Sequence, residues 1–155
     1  MSRSPLDDPR ITAVGLLIEA HDGLQRRLDG QRHEVGLPRA EFDALLRLAR
    51  SDRGRMRLSD LATQLDLSNS GASRLVDRLV KSGHATRQAC ETDRRGAFAV
   101  ITEDGLALVE GAIRGHLDLI EQWYTGVLEP DELDTLNRLL RKVRDVVNPG
   151  ATAGS

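Results

Sequence analysis

A chain of 155 residues, 39% of them apolar, has enough material for one domain with a real core. Aromatic residues are only 3%, so that core is built mainly from Leu, Val, Ile and Ala, which favours helices. The net charge of -2 argues, taken alone, against a nucleic-acid binder, and the single cysteine excludes an internal disulfide.

The charge is unevenly distributed. Positions 50 to 95 hold ten Lys or Arg against six Asp or Glu, a balance of +4, which leaves 12 basic and 18 acidic residues elsewhere, or -6. A basic centre between acidic ends is expected when only the middle faces a polyanion, although a solvated mixed-charge surface produces the same counts. The first residues, MSRSPLDDPR, have no apolar run after their charges, and no segment has the length to span a bilayer. A soluble, cytoplasmic protein is expected.

Residues 1–9 are polar and proline-bearing, and are expected to be loosely ordered. From Arg10, the positions Ile11, Val14, Leu17, Ile18, His21, Leu24 and Leu28 recur at helical spacing, until Gly36 and Pro38 break the pattern. A second helix runs from about Arg39 to Arg50 with Phe42, Leu45, Leu46 and Leu48 as its apolar set. After the charged loop SDRGR, Met56 and Leu58 alternate with arginines as in a very short strand.

Ser59 offers an N-cap for a third helix, buried through Leu61 and Leu65, and Asp66 to Ser68 form a turn. Ser68 or Asn69 caps the next helix, which places Ala72, Leu75, Val76, Leu79 and Val80 on one face. Ser70, Ser73, Arg74, Asp77, Arg78 and Lys81 gather on the other, and Gly83 supplies the stop. His84 to Gln88 and Ala97 to Ile101 read as a hairpin with the charged tip ACETDRRG. Thr102 caps a long helix to about Val127 with two apolar stripes, one through Leu106, Val109, Ile113, Leu117, Ile120, Tyr124 and Val127, the other through Leu108, Ala112, Leu119 and Trp123. A helix apolar on two sides has to be covered twice. Pro130 opens a last helix with Leu133, Leu136, Leu140, Val143 and Val147 in line, ended by Asn148-Pro149-Gly150.

The order helix, turn, helix, hairpin is a layout in which a second helix enters the DNA major groove. Arg74 and Arg78, one turn apart, reach phosphates or guanine edges as forks, and Ser70 and Ser73 suit close approach. Asp77 either orients one of these arginines by an ion pair at helical spacing, the reading favoured here, or accepts from a cytosine amine. Asp93, Arg94 and Arg95 suit a minor-groove probe in which the carboxylate holds an arginine, or else a solvated turn; their position directly after a helix-turn-helix favours the probe.

The segments LSDLATQL, SNSGASRLVDRLVKSG and TDRRGAFAVITEDG together resemble the MarR family of bacterial transcriptional regulators. The likeness spans roughly residues 10–147 in element order, and its most specific part is the Asp-x-Arg-Gly tip followed by Ile101, Thr102 and Gly105. It implies a mainly α fold with a small β-hairpin wing. Residues 37–102 would be a winged helix-turn-helix lobe, 10–36 and 103–147 a helical dimerisation region, and 1–9 and 148–155 flexible ends. The resemblance assigns Ser68 to Arg78, with Ser68, Asn69, Ser70, Ser73, Arg74 and Arg78 as DNA contacts, to the recognition helix. Asp93 and Arg95 become the wing pair, and Arg94 fills a variable, often basic slot.

The expected partners are therefore double-stranded DNA, a second copy of the chain and a small aromatic effector, with no membrane. For the effector, His21, Phe42 and Arg114 are neighbours by helix position, although each also fits an ordinary core or surface role. Family members that sense peroxide carry a cysteine near the start of the first helix, whereas here Cys90 sits in the wing, which leaves a redox role poorly supported. His21, His33, His84 and His116 are scattered without a ligand motif, so no metal or cofactor is expected. No nucleophile, glycine-rich loop or acid pair points to an enzyme. The competing reading is a winged helix used for protein recognition without DNA.

Overall fold

The structure, a computed structural model, describes residues 4–34, 36–93 and 96–151, apart from the side chain of His33. Its helices are α1 (Pro9–Glu34), α2 (Arg39–Ala49), α3 (Leu58–Gln64), α4 (Asn69–Lys81), α5 (Glu103–Trp123) and α6 (Pro130–Val147). The strands β1 (Arg55–Arg57), β2 (Ala85–Ala89) and β3 (Ala97–Ile101) form one antiparallel sheet in the order β1-β3-β2. The fold is mainly α with a small sheet, in the winged helix-turn-helix arrangement. Two ends differ from expectation. Pro5–Asp7 forms a 3-10 turn capped by Ser4, and α5 stops at Trp123 before a second 3-10 turn at Thr125–Val127.

The core sits between α2, α3, α4, the sheet and one face of α5. Phe42, Leu45, Leu48, Leu61, Leu75, Val76 and Leu79 are its largest fully buried side chains. Each removes on the order of 1.5–3 kcal/mol of apolar surface from water. The register Arg55↔Val100 and Thr86↔Val100 places Ala85 and Ala99 on the core side, while Phe98 turns outward under Arg55 and Arg57, whose guanidinium carbons lie 4.9 and 5.4 Å from its ring centroid.

Caps decide where α4 and its neighbours begin. Ser68 Oγ accepts from the Gly71 amide at 3.0 Å. Ser59 does not cap α3: that helix begins at Leu58, with Arg57 in the cap position, and Ser59 lies inside its first turn, where its carbonyl accepts from Thr63 Oγ1. Gly83, at φ 82°, ends α4 in the left-handed conformation, and the next amide, of His84, returns to Leu79 O at 2.9 Å. At the start of α5, Thr102 Oγ1 accepts from Gly105 N at 3.0 Å and donates to Gly83 O at 2.7 Å.

The buried face of α5 is neither predicted stripe: it takes Val109 from one and Ala112 from the other and adds Gly105 and His116, which belong to neither. Leu106 and Leu117 stay exposed. So do Ile11, Val14, Leu17 and Ile18 on α1, and α6 buries no residue at all among the described residues. No described helix is long and apolar enough to cross a membrane.

Candidate nucleic-acid interface

Helix α4 is amphipathic because its apolar positions recur at three and four residues. Ala72, Leu75, Val76 and Leu79 are buried against the core, which turns Asn69, Ser70, Arg74, Asp77, Arg78 and Lys81 to solvent and leaves Ser73 half-buried. The Ser68 cap leaves Ser70 close by, with the two hydroxyl oxygens 3.1 Å apart. Ser68, Asn69, Ser70, Ser73, Arg74 and Arg78 thus lie on one helix or at its cap.

The ion pairs on this face differ from those expected. Asp77 pairs with neither Arg74 nor Arg78. It is bound by Arg87 of β2, at 2.7 Å between Asp77 Oδ1 and Arg87 Nη2. The same Nη2 donates to the Ser73 carbonyl at 2.9 Å and to Ser73 Oγ at 2.8 Å. Arg78 reaches the other way, to Glu41 of α2, at 3.2 Å between Nε and Oε1. Arg74 is exposed and has no ion-pair or hydrogen-bond partner among the described residues.

The hairpin closes beside this face through Cys90 N to Gly96 O and Gly96 N to Asp93 O, both 3.0 Å. Asp93 is exposed at the tip. Arg94 and Arg95, predicted to complete the wing device, lie outside the described residues. Cys90 is buried under the wing, where a hydrogen bond with Thr92 lowers the pKa of its thiol.

His21, Phe42 and Arg114 fall in three environments. His21 is exposed on α1 beside Asp22, Arg114 is exposed on α5, and Phe42 is buried in the core. No hydrogen bond or ring contact joins them among the described residues. Two residues outside the predicted set surround Phe42 instead. The His116 ring stands 4.9 Å away, and the Arg32 guanidinium lies 5.7 Å over the Phe42 ring. Arg32 is nearly buried, hydrogen-bonds Asp29 and lines a cleft of about 430 Å³ with Leu37, Pro38 and Arg39. Burial, followed by the charge of Arg32, pushes the pKa of His116 down, and Arg32 Nε and His116 Nδ1 have no hydrogen-bond partner among the described residues. A charged residue at a helical position otherwise facing inward is the sequence signal that would have marked Arg32. Arg87 carries the corresponding strand signal, sharing a β2 face with buried Ala85.

A family model described as MarR family matches residues 35–96. The HTH-type transcriptional regulator MhqR of Bacillus subtilis (strain 168) is 27% identical over 128 residues, 83% of this chain and 86% of the relative. Among solved structures, the chain is similar to AbsC, a MarR family transcriptional regulator from Streptomyces coelicolor, with TM-score 0.84 and 30% identity over 94% of this chain and 98% of that one. It is also similar to Sco3205, a MarR family transcriptional regulator from the same organism in complex with DNA, with TM-score 0.80 and 31% identity over 91% and 89% of the two chains.

Proposed function

The chain belongs to the MarR family of winged helix-turn-helix DNA-binding transcriptional regulators, and from that premise we propose that it is a homodimeric, ligand-responsive repressor of a palindromic operator. The observation that carries this reading is the solvent face of α4, where Arg74, with no ion-pair or hydrogen-bond partner among the described residues, stands among short hydrogen-bonding side chains on a helix whose other side is core. Ser68, Asn69, Ser70, Ser73, Arg74 and Arg78 approach the major groove, and the wing of Asp93, Arg94 and Arg95 approaches the minor groove. The apolar rows left open on α1 and α6 support a second copy as the partner, which would set two half-sites about one helical turn apart. Repression follows from a dimer that covers its site and excludes other proteins from it.

Ligand response is supported by the cleft that Arg32 lines, with the Phe42 and His116 rings behind its guanidinium. Such a setting suits a small aromatic acid. His21 and Arg114 are exposed on the helices we assign to the dimer.

Replacing Arg95 by Ala tests the DNA reading. Binding to duplex should weaken, and its dependence on salt should flatten, because a groove cation displaces counterions. A titration by fluorescence anisotropy that shows wild-type affinity and slope for this variant removes the wing assignment. A wild-type protein with no salt-sensitive binding to duplex removes the DNA reading altogether.

A further inference from the structure

Arg87 belongs to none of the DNA contacts assigned above. It extends from β2 to α4, where one nitrogen serves three acceptors, Ser73 O, Ser73 Oγ and Asp77 Oδ1, at 2.7 to 2.9 Å. Asp77 is on the solvent face of α4, between Arg74 and Arg78 in sequence, with its side chain 63% exposed. An uncompensated carboxylate there repels phosphates. Neither neighbouring arginine pairs with it: Arg78 is held by Glu41, and Arg74 makes no pair among the described residues.

Ser73 is altered by the same contact. Its oxygen accepts from Arg87 with one lone pair, which fixes the hydroxyl and leaves its O–H able to donate to a phosphate oxygen or the acceptor edge of guanine. We infer that Arg87 is a positioning residue for DNA binding: from β2 it neutralises Asp77 and fixes the Ser73 hydroxyl, without itself touching nucleic acid. This rests on the reading of α4 as the helix that meets DNA.

The test is anisotropy with a labelled random-sequence duplex, between about 50 and 200 mM salt, on full-length wild type, R87A, R87K, D77N and R87A/D77N, with a thermal melt of each. R87A should bind about tenfold more weakly with its salt slope unchanged, because the lost group acts through Asp77 and releases no counterion of its own. D77N and R87K should each stay within about threefold of wild type, since Asn still accepts from Arg87 and Lys still cancels Asp77. The double variant should recover to within about threefold, because the repelling charge has gone with its partner. A folded double variant as weak as R87A overturns the inference and leaves Arg87 as a strut of the wing. A salt slope lowered by about one in R87A overturns it in favour of direct phosphate contact. If R87A melts too early to be read, R87K and the double variant decide, and either one binding poorly while folded overturns the proposal. Absence of wild-type binding is a different failure, that of the DNA reading, and the inference falls with it.

Discussion

Arg78 and Glu41 meet at 3.2 Å and tie α4 to α2. The arginine is more than half exposed and the carboxylate is mostly covered, a setting in which an ion pair adds no more than about 1 kcal/mol. Glu41→Gln should therefore lower the unfolding free energy by less than that in a urea titration. Affinity for duplex at low salt should rise by about twofold, since the change removes an anion beside the binding face. A fall in affinity with stability retained shows instead that Glu41 aims Arg78 at the DNA.

Gly105 is the point where α5 presses on the loop after α4. A Cβ there would collide with the backbone carbonyl of His84, which also accepts from Thr102 N at 3.1 Å. Backbone cannot swing aside as a side chain does. Gly105→Ala should cost about 1–3 kcal/mol, seen as a lowered melting temperature, despite the better helix propensity of alanine. A variant as stable as wild type shows that α5 shifts freely at its first turn.

His116 makes stability depend on pH. Its folded-state pKa is held below the ordinary 6.5, first by burial and then by Arg32, with Asp43 opposing. Above that ordinary value the ring is neutral in both states. As pH falls through it, the unfolded chain takes up a proton that the folded chain refuses, so stability drops until pH passes below the folded value and the loss levels off. Urea titrations between about pH 7.5 and 5 should show this decline, and His116→Gln should make it shallower. Parallel slopes for the two proteins remove His116 as the cause.

Helix α6 buries no residue among those described, and Val143 and Val146 stand open on it. Val143→Asp with Val146→Asp should move the protein towards monomer in sedimentation equilibrium. Duplex binding should weaken by about a hundredfold if the proposed dimer forms, since its two linked lobes would become single ones. An unchanged mass excludes α6 from the proposed dimer contact.

Much of the fold is legible because its signals are local. The Ser68 and Thr102 caps, the Gly83 stop and Pro130 at a helix start each act within one turn of chain, and each stands where the sequence puts it. Ser59 misleads because Leu58, one residue earlier, already belongs to the helix after β1, which leaves the hydroxyl no capping position. The buried line of α5 is not legible, since a helix apolar on two sides does not say which side its own domain takes. For α4, the split into a buried and a solvent face was readable but the partners on the solvent face were not: Asp77 looked towards its helix neighbours and found Arg87 on a strand, while Arg78 found Glu41 across 37 positions of sequence. Arg32 goes unmarked, and His116 shows only as one of four scattered histidines, for the same reason, as their significance lies in meeting around Phe42.

The Thr102 hydroxyl has a mechanical consequence. It holds the Gly83 carbonyl on one side and the Gly105 amide on the other, so the end of α4 and the beginning of α5 are pinned through one oxygen. From that pin α5 extends 21 residues, about 31 Å, towards Trp123, whose ring carries Arg27 of α1 at 4.2 Å. Any change in the direction of α5 relative to α4 therefore has to carry both hydrogen bonds with it or break them, so the Thr102 oxygen is the hinge point between the two helices.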